Sequence, residues 1–157
     1  MKSHIKVFGH PLHPMLVVFP LGLLITSVVY DALWLATKKP EQARTAHKLI
    51  GAGVLGGIAA AAAGLVDYAA IPGGTRAKRI GFWHGSGNAL LLLLFGLSWK
   101  LRAGQPESPS RAALSLSLGA LLLGNITAWL GGELVYRLGV GVDPGANLEA
   151  PDSLLHP

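Results

Sequence analysis

Four apolar stretches of about 20 residues or more, separated by short polar turns, constrain this chain more than any other feature. About 20 apolar residues are needed for a helix to cross roughly 30 Å of hydrocarbon, and within lipid every backbone N–H and C=O must find its partner inside the protein. The stretches therefore predict an all-α fold, a four-transmembrane-helix up-and-down bundle. The predicted helices cover about residues 15–36, 48–71, 82–101 and 112–136 of a single membrane domain spanning 1–142. Residues 143–157, rich in Asp, Pro and Gly, are expected to be a poorly ordered tail.

Composition agrees. Only 13% of the 157 residues are charged, against roughly a quarter in soluble domains. Most of the 21 glycines fall inside the apolar stretches, where small residues let helices approach in lipid. The absence of cysteine excludes disulfides, thiolate metal ligands and cysteine nucleophiles, leaving six histidines as the soft ligands. The formal charge of +5 lies almost wholly between the stretches, as headgroup contacts do. No basic run interleaved with aromatics suggests nucleic-acid binding.

The first stretch follows a short basic lead with Lys2 and Lys6, and Pro20 is expected to kink it. A secretory signal peptide is the competing reading, disfavoured by the length of the run, by Pro20, and by the lack of a small-x-small cleavage site before Lys38. Lys38 to Glu41 reads as a turn. In the second stretch Gly53 and Gly57 are four apart, as are Ala60 and Gly64, so this helix is expected to pack most deeply. Asp67-Tyr68 ends it, Pro72-Gly73-Gly74 stops it, and Arg76, Lys78 and Arg79 read as a basic loop. The third stretch opens at Phe82-Trp83-His84, with Lys100 and Arg102 at or beyond its end; the fourth ends near Gly131-Gly132-Glu133.

Polar chemistry is concentrated where the first helix begins, in Gly9-His10-Pro11-Leu12-His13-Pro14. Each proline disfavours the α region for the preceding residue, and a polyproline-like path would align His10 and His13, about 9 Å apart at their α-carbons. Alternating helices then bring the start of the first, the end of the second, the start of the third and the end of the fourth to one membrane face. His10, His13, Asp67, Tyr68, His84, Glu133, Tyr136 and Arg137 all belong to those ends, whereas Asp31 and His47 lie at the other. His4 and His156 are expected in disordered termini.

An internal echo accompanies this convergence. Gly64-Leu65-Val66-Asp67-Tyr68 ends the second helix and Gly132-Glu133-Leu134-Val135-Tyr136 the fourth, and histidine stands at the mouth of the first and third. Two copies of a helical hairpin, related about the membrane normal, would make His13 and His84 equivalent. Orientation is nearly balanced, with Lys2, Lys6, Arg76, Lys78, Arg79 and Arg137 on the histidine face. Lys38, Lys39, Arg44, Lys48, Lys100, Arg102 and Arg111 lie opposite. The cations of the first loop lean the histidine face toward the outside of a bacterial inner membrane.

The His10-Pro11-Leu12-His13-Pro14 stretch with Phe19-Pro20, the Gly64 to Tyr68 end, His84, and Gly131 to Arg137 with Gly139-Val140-Gly141-Val142 resemble a bacterial membrane family, domain of unknown function 2231. The likeness covers about residues 8–142. It implies a four-helix membrane domain without a settled biochemical role. Relatives joined to a Rieske-type iron–sulfur domain hint at electron transfer, although this chain has no such domain.

Four readings of the polar face follow. In the first, His13 and His84, on diagonal helices, are axial ligands of haem b, with Arg137 or an N-terminal lysine for the propionates. In the second, His10, His13, His84, Asp67 and Glu133 supply ligands to a transition-metal ion, with nothing to choose among zinc, iron and copper. A third is a proton or quinone pathway through the histidines and Asp67. In the fourth the cluster is structural: Asp67 or Glu133 pairs with Arg79 or Arg137, Asn88 and Asn125 bond between helices, and the protein is a non-catalytic scaffold or assembly subunit. The expected partners are the lipid bilayer, a redox partner and a second copy of the chain. No soluble-enzyme signature is present: Gly85-Ser86-Gly87 lacks the strand-to-helix setting of a nucleophile elbow.

Overall fold

A computed structural model describes residues 1–154, so His156 lies outside the described residues. The apolar stretches form α1 (Leu12–Thr37), α2 (Pro40–Ala70), α3 (Arg76–Arg102) and α4 (Arg111–Gly132), the last continued by a π turn over Glu133–Arg137. All four helices are long and apolar enough to cross a membrane. Two short strands, β1 (Lys6–Val7) and β2 (His10–Pro11), pair antiparallel before α1.

Two helices begin earlier than hydropathy suggests, because capping rather than charge sets their ends. Pro40 opens α2 at its first position, where the missing N–H costs nothing. The Thr75 hydroxyl accepts the Lys78 backbone N–H at 3.1 Å, so the basic residues from Arg76 to Arg79 are the first turn of α3 and not a loop. Ser110 caps α4 in the same way, accepting from Ala113 at 3.2 Å. At 31 residues, α2 is about 45 Å long and outruns the hydrocarbon.

The interior is small and the exterior is large. Leu55, Leu122 and Ile126 are 70%, 61% and 60% exposed, a surface that suits lipid and not water. On α2 the buried side is Ala43, Ala46, Ile50, Gly53, Gly57, Ala60 and Ala63. A β-carbon at Gly53 would stand 2.6 Å from Leu24 of α1, so the expected small-residue face is what lets α1 and α2 close on each other. Leu24, Ile50, Phe95 and Ala120 form the core, one from each helix.

The two hairpins repeat each other. The 71-residue offset that separates Asp31 from Arg102 also relates His13 to His84, buried Leu24 to buried Phe95, and buried Ser27 to buried Ser98. Along α2 and α4 a second constant offset relates Ala46 to Ala113, Ile50 to Ser117, Gly53 to Ala120 and Ala60 to Thr127, all buried. Gly64 falls on Gly131 in this register, one residue from the match read in the sequence. The π turn over Glu133–Arg137 accommodates an added residue, and Tyr136, within it, aligns with Tyr68 only through that insertion.

The N-terminal lead is an ordered arm. The Met1 ammonium donates to the Gly139 carbonyl at 2.9 Å, and Gly141 N–H donates to the Met1 carbonyl at 2.8 Å. Phe8 and Gly9, with φ of 49° and 79°, make the two-residue turn between the strands, a conformation of primed hairpin turns. Lys2 and Lys6 lie 3.1 and 3.8 Å from Asp143. The Gly145 N–H, followed by Lys2, holds the Asp143 carboxyl below its usual value of 3.8. This clamp is therefore complete above that value and is lost as pH falls through the lower folded-state value. The protection factor of the Gly141 amide, its exchange rate relative to that of an unstructured amide at the same pH, should fall only in that acid window, and in the Asp143→Asn variant it should be low already at neutral pH.

Candidate functional site

The histidine face assembles differently from the aligned pair expected at its N-terminal stretch. Pro14 falls in the first turn of α1 and is tolerated there, so His13 is helical while His10 stays extended in β2. His10 is exposed, its Nε2 3.1 Å from the Ser153 hydroxyl. The two imidazoles that do meet are His13 and His84, their ring centroids 6.4 Å apart and their planes perpendicular.

Each ring is anchored within its own hairpin. His13 Nδ1 is 2.8 Å from the Ala60 carbonyl, and His84 Nδ1 is 2.9 Å from the Thr127 carbonyl. A carbonyl only accepts, so both Nδ1 atoms carry hydrogen, and in the neutral ring Nε2 keeps its lone pair. Because the two nitrogens of an imidazole point in nearly opposite directions, Nε2 of each ring is aimed away from its anchoring carbonyl. The glycine one helical turn beyond each carbonyl makes room: a β-carbon at Gly64 would stand 2.9 Å from His13 Nδ1, and one at Gly131 3.0 Å from His84 Cε1. Gly64→Ala and Gly131→Ala should each cost about 1–2 kcal/mol, overpacking exceeding the helix-propensity gain. Gly22→Ala and Gly119→Ala, with nothing near the added carbon, should be neutral or stabilising, and thermal melts of the four variants in detergent would show the difference.

Asn88 and Thr127 complete the surroundings of His84. The Thr127 hydroxyl donates to Asn88 Oδ1 at 3.1 Å, across α3 and α4. The Asn88 amide donates to the His84 carbonyl at 2.9 Å and lies 3.3–3.4 Å from both ring nitrogens. Asn125 instead donates to Leu121 on its own helix at 3.0 Å, so only Asn88 bridges helices as anticipated.

The carboxylates are engaged elsewhere. Asp67 receives the Ser3 hydroxyl at 2.8 Å and the His4 backbone N–H at 2.9 Å, so it docks the N-terminal arm, and its expected pairing with Arg79 or Arg137 does not form. Glu133 pairs with Arg76 at 2.6 Å. Arg137 is exposed at the end of the π turn. Among the described residues no group of three or more His, Asp or Glu side chains could hold a metal ion.

The polar centre that sequence reading missed lies at the opposite end. Arg102 is fully buried and grips Asp31 through two bonds, Nη1 to Oδ1 at 2.6 Å and Nη2 to Oδ2 at 2.7 Å. Nε donates to the Ser98 hydroxyl and Nη2 also to the Ser117 hydroxyl, each at 3.2 Å. Arg102 is thus a core residue and not a headgroup cation, which leaves the cations of the two faces in balance. His47 stacks in parallel on Trp99 at 5.3 Å, away from the histidine pair.

A family model described as a predicted membrane protein (DUF2231) matches residues 9–144. No curated protein and no solved structure matches the chain.

Proposed function

The chain belongs to the DUF2231 family of predicted membrane proteins, and we propose that His13 and His84 together ligate one metal centre, the iron of a b-type haem or a single transition-metal ion, in membrane electron transfer. The observation that carries this reading is the matched anchoring of two facing imidazoles with centroids 6.4 Å apart. Two metal–nitrogen bonds of about 2.0–2.1 Å, with roughly 1 Å more from each nitrogen to its ring centre, set such rings about 6 Å apart. An Nδ1–H held by a backbone carbonyl is also the support that fixes a ligating imidazole's tautomer and raises the basicity of Nε2. Arg137, exposed at this end, and Lys6 of the arm are the cations for haem propionates. Asp67, Glu133 and His10 would join a metal only by leaving Ser3, Arg76 and Ser153. On this reading the protein sits in the inner membrane of a bacterium, with the histidine face outside the cytoplasm and a redox partner docking there.

A structural reading is favoured by one observation, the engagement of both carboxylates within the protein, and it makes the chain a scaffold or assembly subunit. Absorption spectra and elemental analysis of gently extracted protein separate the two. A Soret band that shifts on reduction selects haem, and stoichiometric metal without pigment selects a single ion. Protein lacking both, from cells supplied with haem and metals, overturns the proposal and leaves the scaffold or the proton pathway.

A further inference from the structure

We propose that the corner where α2 meets α3 binds the phosphate headgroup of an anionic phospholipid. The corner holds a cleft of about 320 Å³ lined by Tyr68, Thr75, Lys78, Arg79, Phe82 and Trp83. Its chemistry is layered along one helix. Thr75 and Arg79 are four residues apart, and Phe82 and Trp83 follow Arg79 by three and four, so they share one stripe of α3.

Depth orders that stripe as a phospholipid is ordered. Outermost are the first N–H groups of α3, which carry partial positive charge, beside the Thr75 hydroxyl, which is itself committed to the Pro72 carbonyl and the Lys78 N–H. One turn deeper lies the guanidinium of Arg79, exposed and, among the described residues, in no ion pair. Another turn deeper, Phe82 and Trp83 are 52% and 62% exposed on a helix long and apolar enough to cross a membrane, with ring centroids 5.4 Å apart. Exposed aromatics at that level sit against glycerol and the upper acyl chains.

Charge selects the ligand. Among the described residues no carboxylate lines the cleft, whereas two cations do. The Lys78 ammonium is partly spoken for, donating to the Tyr68 carbonyl at 2.7 Å and lying 4.0 Å from the Tyr68 ring centroid. It closes the end of α2 and leaves Arg79 as the free phosphate donor, whose planar fork suits two phosphate oxygens. The headgroup that fits is a phosphate without a compensating ammonium, which distinguishes phosphatidylglycerol from phosphatidylcholine. Nothing in this site depends on what His13 and His84 hold.

The test is native mass spectrometry of the full-length protein in detergent, titrated with phosphatidylglycerol or phosphatidylcholine. Wild type should retain phosphatidylglycerol preferentially. Arg79→Gln should weaken that retention roughly fivefold, as expected for one surface cation, without altering phosphatidylcholine. Arg79→Lys should restore much of it, and Arg44→Gln, at the other membrane face, should change nothing. Equal binding of the two lipids by wild type, or undiminished binding by Arg79→Gln, overturns the proposal. Displacement of the lipid by an equal concentration of inorganic phosphate would also overturn it, showing a site for the free anion instead.

Discussion

Arg102→Met is expected to destabilise the bundle by about 3–5 kcal/mol, the cost of leaving one member of a buried ion pair without its partner. Asp31 is 4% exposed, and among the described residues nothing else is placed to replace the two guanidinium bonds it accepts. The Ser98 and Ser117 hydroxyls, 2.8 Å apart, would still satisfy each other, so the loss falls on the carboxylate. Asp31→Leu should be similarly severe, because it strands the guanidinium. The double variant Asp31→Leu/Arg102→Met should recover most of the loss, since an apolar pair of similar volume often equals a buried ion pair in stability. Unfolding in mixed detergent micelles would give the three values for a double-mutant cycle. An Arg102→Met protein within about 1 kcal/mol of wild type would remove the pair from any account of how the hairpins hold together.

Hydropathy alone made the four spans and their alternation legible, because a lipid-exposed helix advertises itself through every outward side chain, from Phe19 to Ile126. Alternation then brought His13 and His84 to one end, and the hairpin echo marked them as equivalent. Local patterns could not show partners far along the chain. Asp67 is held by Ser3 and Glu133 by Arg76, contacts for which no spacing rule exists. Arg102 was hidden by its place at the end of an apolar run, where a cation ordinarily reaches for headgroups. One signal was available: Ser27 precedes Asp31 by four residues, and Ser98 precedes Arg102 by four. Two serine-to-charge steps at equivalent places on α1 and α3, opposite in sign, point across the bundle to each other. The helix starts at Pro40 and Arg76 were obscured for another reason, since the charges after them resemble loop composition while a proline and a threonine cap decide the backbone.

His13→Ala and His84→Ala should each abolish the bound pigment or metal, an effect far larger than either does to folding. Each substitution removes a hydrogen bond to a carbonyl, worth about 1 kcal/mol, together with the ring-to-ring contact and, for His84, the Asn88 contact, so the variants should melt below wild type by a few kcal/mol at most and still be recovered from the membrane. The paired geometry makes the two losses equal in kind: a centre held between Nε2 atoms cannot be retained by one ring whose other nitrogen is already committed to Ala60 or Thr127. His47→Ala, at the opposite end beside Trp99, should keep the full complement. Asp67→Asn and Glu133→Gln should keep it too, because those carboxylates serve the arm and Arg76. Pigment or metal retained in the His84 variant would sink shared ligation. Loss in the Glu133 variant with His84 intact would instead draw the carboxylate back into the ligand set and require the Arg76 pair to open when the centre fills.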